Sequence, residues 1–480
     1  MKQVVVFINS EQKGFLIALS NELKINYSLD VVIVARDYGV KTIINKLLPE
    51  FSNIVVLSDY SVNINNVMEE ALKIEENYNV RLNILMSEDR ALGQGYLTNV
   101  SRIPDIIRAS FDYKTKLMAV VKEFKAIENI LTSSKFVIKI WPNKIVSSVC
   151  KARGIKSFSF VPIKFGLRMF WSDDDYITSS KYIKRLNILV NENHTTNPEV
   201  IKYEIDIDAD TFNKSISFSY FNAIKESLKV IFSDTQSRIR NKNKCNSYHY
   251  LGWIPSIFRS VSNWNFIIKN SKTIDDVKDF KLVIFTLHLE PEVALQSFSP
   301  EFNNSMEAIT WISKSLPANY ALVIKEQVLS YGVRSRWFYK QLIKIPNVVI
   351  AHPDIHSWEW INKSSIVATI TGTVGQEAVH FKKPVISFGK HQIINSLSTV
   401  FYVTNYFEVK SAVDNLIANP LNKKEMLNNS IAFKKAQIKT SIDIPDYMHA
   451  YNSIKLETKM AQDAASNLFK EYPRLIETKL

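Results

Sequence analysis

The sequence predicts an α/β protein of two domains with a cleft between them, each domain built on a parallel sheet. Three observations predict it. Short apolar runs alternate with amphipathic helical stretches in both halves of the chain, the pattern of a parallel sheet covered on two faces. The alternation stops over residues 195–275, which read as helices anchored by Phe218, Tyr220, Phe221, Trp253 and Trp264. The length, 480 residues, is too great for one ordinary core.

The first run, "VVVFIN" (4–9), reads as a buried strand followed by a helix from Glu11 to about Asn26. It is short and runs straight into polar residues, so it is read as a strand and not as a signal peptide. "DVVIVARDYG" (30–39), "NIVVLSD" (53–59) and "RLNILMSED" (81–89) are the next expected strands, with a helix over 64–78 before the last. A long helical region over 103–131 leads to strands at "KFVIKIWP" (135–142) and "KSFSFVPIKF" (156–165). The pattern resumes at "KLVIFTLHLEPE" (281–292) and continues through "YALVIKEQ" (320–327), "PNVVIAHPD" (346–354), "IVATITGT" (366–373), "KPVISFG" (383–389) and "VFYVTN" (400–405). The expected organisation is a first α/β domain at 1–190, a helical bridge at 191–277, a second α/β domain at 278–420 and C-terminal helices at 421–480.

Bulk properties narrow the function. Hydrophobic residues make up 46% and charged residues 22%, both globular values, and no apolar run approaches the roughly 20 residues of a membrane helix. Two cysteines, Cys150 and Cys245, suit a reducing, cytoplasmic setting. The net charge of +13 is spread over groups such as "RIRNKNK" (238–244), "NKK" (422–424) and "FKK" (433–435), with no zinc-finger spacing and no aromatic RNA-binding signature. No nucleic-acid partner is therefore expected. The charge instead suggests an anionic nucleotide-sugar substrate and peripheral attraction to the inner membrane face; the alternative is a solvated basic surface.

In a doubly wound sheet, ligands sit beyond the carboxyl ends of the strands. Three turns there are rich in functional groups: His288, Glu290 and Glu292 after "VIFTL"; His352, Pro353 and Asp354 after "VVIA"; and Thr371, Gly372 and Thr373 in "TITGTVGQEAVHFKKPVISFG" (369–389). The last opens a helix, whose free N–H groups and positive dipole end suit a phosphate. Glu377, one turn in, suits ribose hydroxyls. The other reading of this turn is a capping Thr and a packing glycine. Lys325, Arg334 and Arg336 are candidate basic partners for the phosphate, the two arginines being equally readable as a solvated helix start.

The N-terminal half supplies acids. Glu88 and Asp89 in "SEDR" adjoin, so mutual repulsion favours one protonated and one ionised carboxyl, the requirement of proton transfer; the alternative is an acid-rich turn. Asp173, Asp174 and Asp175 form a run that is otherwise a solvated loop or a cap. Metal-ligand spacings such as HExxH are missing, and although the Asp173–Asp175 run could bind a divalent cation, nothing else calls for one; the missing GxSxG nucleophile elbow argues against an α/β hydrolase.

The ordered series "LHLEPE", "VIKEQ", "RSRWFYKQLIKIPNVVIAHP" and "SSIVATITGTVGQEAVHFKKPVISFG", over residues 280–390, resembles the bacterial capsule polysaccharide biosynthesis glycosyltransferases, which include the retaining β-Kdo transferases and relatives acting on other nonulosonic acids such as pseudaminic acid. The resemblance implies a GT-B fold of two Rossmann-like domains, a CMP-activated 3-deoxy-ulosonic acid donor bound by the second, a glycan or glycolipid acceptor, and no metal. It implies that Thr371–Thr373 is the phosphate turn, that Glu377 is the nucleotide-side acid, and that His288 and Glu292 line the cleft. Lys325 and Glu326 match the family's "KEHP", whereas Gln327 and Val328 replace its His and Pro, a departure that leaves the role of this turn and the donor sugar open. It also implies an aspartate nucleophile in the N-terminal domain. One assignment gives attack to one of Asp173–Asp175 and proton transfer to Glu88 or Asp89; the reverse makes Asp89 the nucleophile.

Overall fold

A computed structural model describes residues 3–9, 13–60, 63–88, 112–132, 134–139, 143–192, 218–240, 253–289, 293–444 and 455–476. The chain divides into two compact units. The first comprises 1–86, 112–186 and 435–480, and the second 87–111 and 187–434.

The first unit is built on a seven-stranded sheet. In chain order its strands are β1 (Gln3–Ile8), β2 (Asp30–Ala35), β3 (Ile54–Val56), β4 (Ser134–Lys139), β5 (Lys156–Pro162), β6 (Arg168–Ser172) and β14 (Ile442–Asp443). Their order across the sheet is β14-β6-β5-β4-β1-β2-β3. The five strands from β5 to β3 are parallel, while β6 and β14 join antiparallel. The reversal of order lies between β1 and β4, as in a Rossmann sheet. The chain's end returns to this unit. The helix Thr458–Glu471 packs against the helix Lys13–Ile25 through the small side chains Ala461, Ala464 and Ala465, and the Trp171 indole donates to the Ala464 carbonyl at 2.8 Å.

The second unit holds a seven-stranded, all-parallel sheet of β7 (Ser271–Lys272), β8 (Lys281–Thr286), β9 (Tyr320–Lys325), β10 (Val348–Ala351), β11 (Ile366–Thr369), β12 (Val385–Ser387) and β13 (Val400–Tyr402). Its order is β13-β12-β11-β8-β9-β10-β7, and every pairing is parallel. The six strands from β8 to β13 follow the doubly wound order, with the reversal between β8 and β11. Apolar runs such as "LVIF" in β8 are buried throughout because helices cover both faces. The two helices Tyr220–Arg240 and Trp253–Asn270, within the stretch expected as a bridge, pack on one another in this unit. The fold class is thus α/β with two Rossmann-like sheets.

One expected strand is a helix. "RLNILMSED" was expected to extend at 81–89, but Leu82–Glu88 is helical. Its buried residues, Leu82 and Met86, are four apart and share a helix face, and the Glu75 carboxylate accepts the Leu82 N–H at 2.8 Å, capping the start. Three strands were not anticipated. β6 lies in "RMFWS", and β7 and β14 are only two residues long.

Candidate functional site

The carboxyl edge of the second sheet collects the groups the sequence singles out. β11 ends at Thr369 and the helix Thr373–His380 begins four residues later, with Gly372 as its N-cap. Most nearby helices are closed by a side chain: Asn304, Ser335, His356 and Asn405 each accept from the first turn that follows. Gly372 offers none, so this helix starts without a side-chain cap. Its own N–H donates to Thr369 Oγ1 at 2.9 Å. A Cβ at Gly372 would lie 2.9 Å from that oxygen and 3.1 Å from His288 Cε1, which is why only glycine fits between β11 and the His288 ring.

His288 comes from the other side of the reversal, two residues beyond β8. Its ring is buried, and Nε2 accepts the Thr371 N–H at 3.4 Å. Burial first, and the Arg334 charge second, push its pKa down to about 3, so the imidazole is neutral, with its proton on Nδ1. The Thr371 hydroxyl oxygen is buried with no hydrogen-bond partner. Glu377 lies one turn into the helix. Its Oε2 accepts from Trp358 Nε1 at 3.1 Å, and burial raises its pKa against the opposing bonds from Trp358 and Thr373.

The basic candidates divide. Lys325 ends β9 and donates to the carbonyls of His352 (3.0 Å) and Pro353 (2.7 Å), tying the ends of β9 and β10 together. Burial lowers its pKa to about 8, against the pull of Asp354, Glu326 and Glu359. Arg334 and Arg336 were expected as phosphate partners or as a solvated helix start, and they are neither solvated nor turned to Thr371–Thr373. Arg334 is fully buried, with Nε donating to Glu326 Oε2 at 2.8 Å and its guanidinium to the His288 carbonyl. Glu326 also accepts from the Tyr339 hydroxyl and the Gln327 N–H, each at 2.7 Å. Arg336 donates to Asn263 Oδ1 at 2.9 Å and Ser262 Oγ at 2.6 Å on the helix Trp253–Asn270, and stacks over Phe266. Arg334 therefore fixes the backbone that carries His288. His352 is nearer the sheet's edge, where its Nδ1 accepts from the Asp354 N–H at 3.4 Å. Glu292 lies outside the described residues, as does Glu290.

In the first unit, the three aspartates after β6 face three different tasks. Asp174 accepts from the N–H groups of Tyr176 (2.8 Å), Thr178 (3.1 Å) and Ser179 (2.7 Å) and from the hydroxyls of Thr178 (2.5 Å) and Ser172 (3.2 Å). Asp173 accepts from the Ser180 N–H at 2.9 Å and hydroxyl at 2.6 Å. Both carboxylates are engaged in shaping the loop and starting the helix Ser180–Asn191. Asp175 instead meets side chains: the buried Lys139 ammonium, and Ser147 Oγ at 2.5 Å. Glu88 closes the helix Leu82–Glu88, and Asp89 lies outside the described residues. Among the described residues no group of three or more His, Cys, Asp or Glu side chains is arranged to hold a metal ion.

Two participants escaped the sequence reading. Lys139 closes an apolar strand next to the reversal between β1 and β4, the same signal that marked Lys325. Trp358, which holds Glu377, carries no local signal, because the contact spans 19 residues.

Residues 204–392 match the family model described as capsule polysaccharide biosynthesis protein. This is the resemblance that the ordered motifs carry. The match spans less than half of the chain. No curated protein matches the sequence. Among solved structures, the β-Kdo 2,7 transferase KpsC of Thermosulfurimonas dismutans is similar at 12% identity, over 67% of this chain and 88% of that one, with a TM-score of 0.31. Anabaena Alr3699/HepE in complex with UDP and glucose is similar at 10% identity, over 98% and 100%, with a TM-score of 0.33. S. aureus MnaA, a co-structure with UDP, is similar at 12% identity, over 100% and 99%, with a TM-score of 0.28. Identities this low and superpositions this loose say nothing of activity or ligand.

Proposed function

We propose that the chain is a retaining glycosyltransferase that moves a 3-deoxy-ulosonic acid, such as Kdo, pseudaminic acid or another nonulosonic acid, from a CMP-sugar to a growing capsule or lipopolysaccharide glycan. The observation that carries the nucleotide half of this reading is the uncapped start of the helix Thr373–His380 at the β8/β11 reversal, beside the unpartnered Thr371 hydroxyl and the neutral His288 ring. The phosphate of CMP accepts from this turn, and Glu377 accepts from ribose hydroxyls. Lys325 keeps one N–H beyond its two carbonyl partners for an anionic donor group. The capsule family match supports the glycan as acceptor.

The chemistry is two displacements. An aspartate carboxylate attacks the anomeric carbon, its bond to the phosphate oxygen breaks and CMP leaves. A base then takes the acceptor hydroxyl's proton while that oxygen attacks the same carbon and releases the carboxylate, giving net retention. Within the described run, Asp175 is the acid held by side chains and not by the loop's own N–H groups, which favours it over Asp173 and Asp174. In the reverse assignment Asp89 is the nucleophile and an acid of the Asp173–Asp175 run handles the proton. No step uses a metal.

The test is intact-protein mass spectrometry after mixing with CMP-Kdo and other CMP-nonulosonates, alongside melting with CMP and UDP. A sugar adduct on one aspartate, lost in Asp175→Asn or Asp89→Asn, is expected. Stabilisation by UDP and not by CMP overturns the donor assignment.

A further inference from the structure

The helix Tyr220–Arg240 turns its small residues inward and its large ones outward. Ala223 and Ser227 are buried, on the helix that packs against Trp253–Asn270. Tyr220, Phe221, Ile224, Leu228, Ile231 and Phe232 are exposed, Phe221 at 78% and Phe232 at 71%. At 3.6 residues per turn these six fall within an arc of roughly 120°. An ordinary amphipathic helix reverses this arrangement, and a contiguous exposed apolar face of this kind marks an interaction surface.

Charge identifies the occupant. Lys225 and Lys229 border the apolar arc on the side away from the buried residues, both exposed, with Lys229 paired to the exposed Glu226 at 2.6 Å beyond the arc. Within the apolar arc there is no acid. Residues 220–244 carry six Lys or Arg and two acids, and the basic run "RIRNKNK" continues from the helix's last turns. A seam between two copies of a helix is narrower than this arc. A broad apolar arc with a basic border suits acyl chains beneath anionic headgroups. No described helix is long and apolar enough to cross a membrane, so the contact is one of lying on the surface.

We propose that the exposed face of the helix Tyr220–Arg240 docks the protein on an anionic lipid surface, with Phe221, Leu228 and Phe232 entering the acyl boundary and Lys225 and Lys229 meeting the headgroups. The inference is independent of the donor and the mechanism, because its readout is lipid binding alone.

The test is co-sedimentation of the full chain with phosphatidylcholine vesicles, with and without phosphatidylglycerol, together with light scattering of the protein alone. Binding that requires phosphatidylglycerol and weakens with salt is expected. The triple variant Phe221→Ser, Leu228→Ser, Phe232→Ser is expected to bind roughly a hundredfold more weakly, and Lys225→Gln with Lys229→Gln roughly tenfold more weakly. Both sets alter exposed side chains, so unchanged melting separates lost docking from lost folding. The proposal is overturned if the triple variant binds like the parent, if binding ignores lipid charge, or if the parent is a dimer that the triple substitution separates.

Discussion

Two polar stretches that follow strands look alike in the sequence and differ in structure. After β6, "SDDDYITSS" folds around its own acids: Asp174 takes five hydrogen bonds from residues 172–179. The loop is strained, with Ile177 at φ 58° and Ser179 at φ 55°, and these bonds hold both in place. After β11, "ITGT" does the reverse. The following helix starts without a side-chain cap, and the Thr371 hydroxyl is buried without a partner. Asp173 and Asp174 are therefore spent on their own loop, whereas Asp175 reaches Lys139 and Ser147, and the Ser179 hydroxyl, like that of Thr371, is buried without a partner.

The sharpest way to break the comparison is to remove the frame behind the second stretch. Arg334 is buried between Glu326 and the His288 carbonyl. Arg334→Met leaves the Glu326 charge buried, and an expected loss of about 3–5 kcal/mol follows. Urea unfolding measures it, and adding Glu326→Gln is expected to recover part. A loss below about 1 kcal/mol would show that the pair does not hold this edge.

The first stretch gives the next largest effect. Asp174→Ala removes five acceptor contacts and leaves Ile177 and Ser179 strained, so a loss of about 2–3 kcal/mol is expected. Asp173→Ala removes a cap on Ser180 and is expected to cost about 1 kcal/mol. Thermal unfolding with both variants tests whether the run is structural, and a pair that unfolds like the parent breaks the contrast.

A pH series sharpens the second stretch further. The folded pKa of His288, about 3, lies below its unfolded value, so the unfolded chain binds the extra proton between them. Its contribution to stability is thus complete above the unfolded pKa and is lost as pH falls towards 3, at up to about 1.4 kcal/mol per unit. His288→Gln places an amide near the Nε2 position and does not titrate. The difference in stability between parent and variant is expected to shrink from pH 7 to pH 4; a constant difference would mean that the ring is not held neutral.

Much of this was legible in the sequence. Apolar runs at "VVVFI", "VIFT" and "IVAT" need burial on both faces, and the parallel sheets follow. The residues at the carboxyl ends of the second sheet were legible because each ends or follows a strand: His288, Lys325, His352 and Thr371. What each does was not legible, because it depends on contacts far along the chain. Arg334 reads as a solvated helix start until Glu326 and the His288 carbonyl, 46 residues away, are brought to it. "RLNILMSED" misled because a short apolar run has no decisive period, and the acid that caps its helix, Glu75, sits seven residues back in the preceding helix and outside the usual N-cap position.

The smallest expected change in stability comes from Thr371→Val, and it tests the contrast most directly. Valine keeps the shape and the methyl group that lies against Gly389, and removes a hydroxyl that no protein group engages. Elsewhere, removing a bonded hydroxyl costs about 1 kcal/mol; here the substitution is expected to shift stability by less than about 0.5 kcal/mol, or to raise it, since an unpartnered buried oxygen is itself a penalty. The same substitution is expected to weaken CMP binding about tenfold, because a phosphate oxygen would lose its donor. Melting without ligand and calorimetric titration with CMP read the two effects separately. A variant that melts much lower and binds unchanged would mean that the Thr371 hydroxyl serves the fold, as the carboxylate of Asp174 does. A variant that melts unchanged and binds poorly places the hydroxyl in the ligand's shell, where its lack of a protein partner is what leaves it able to donate.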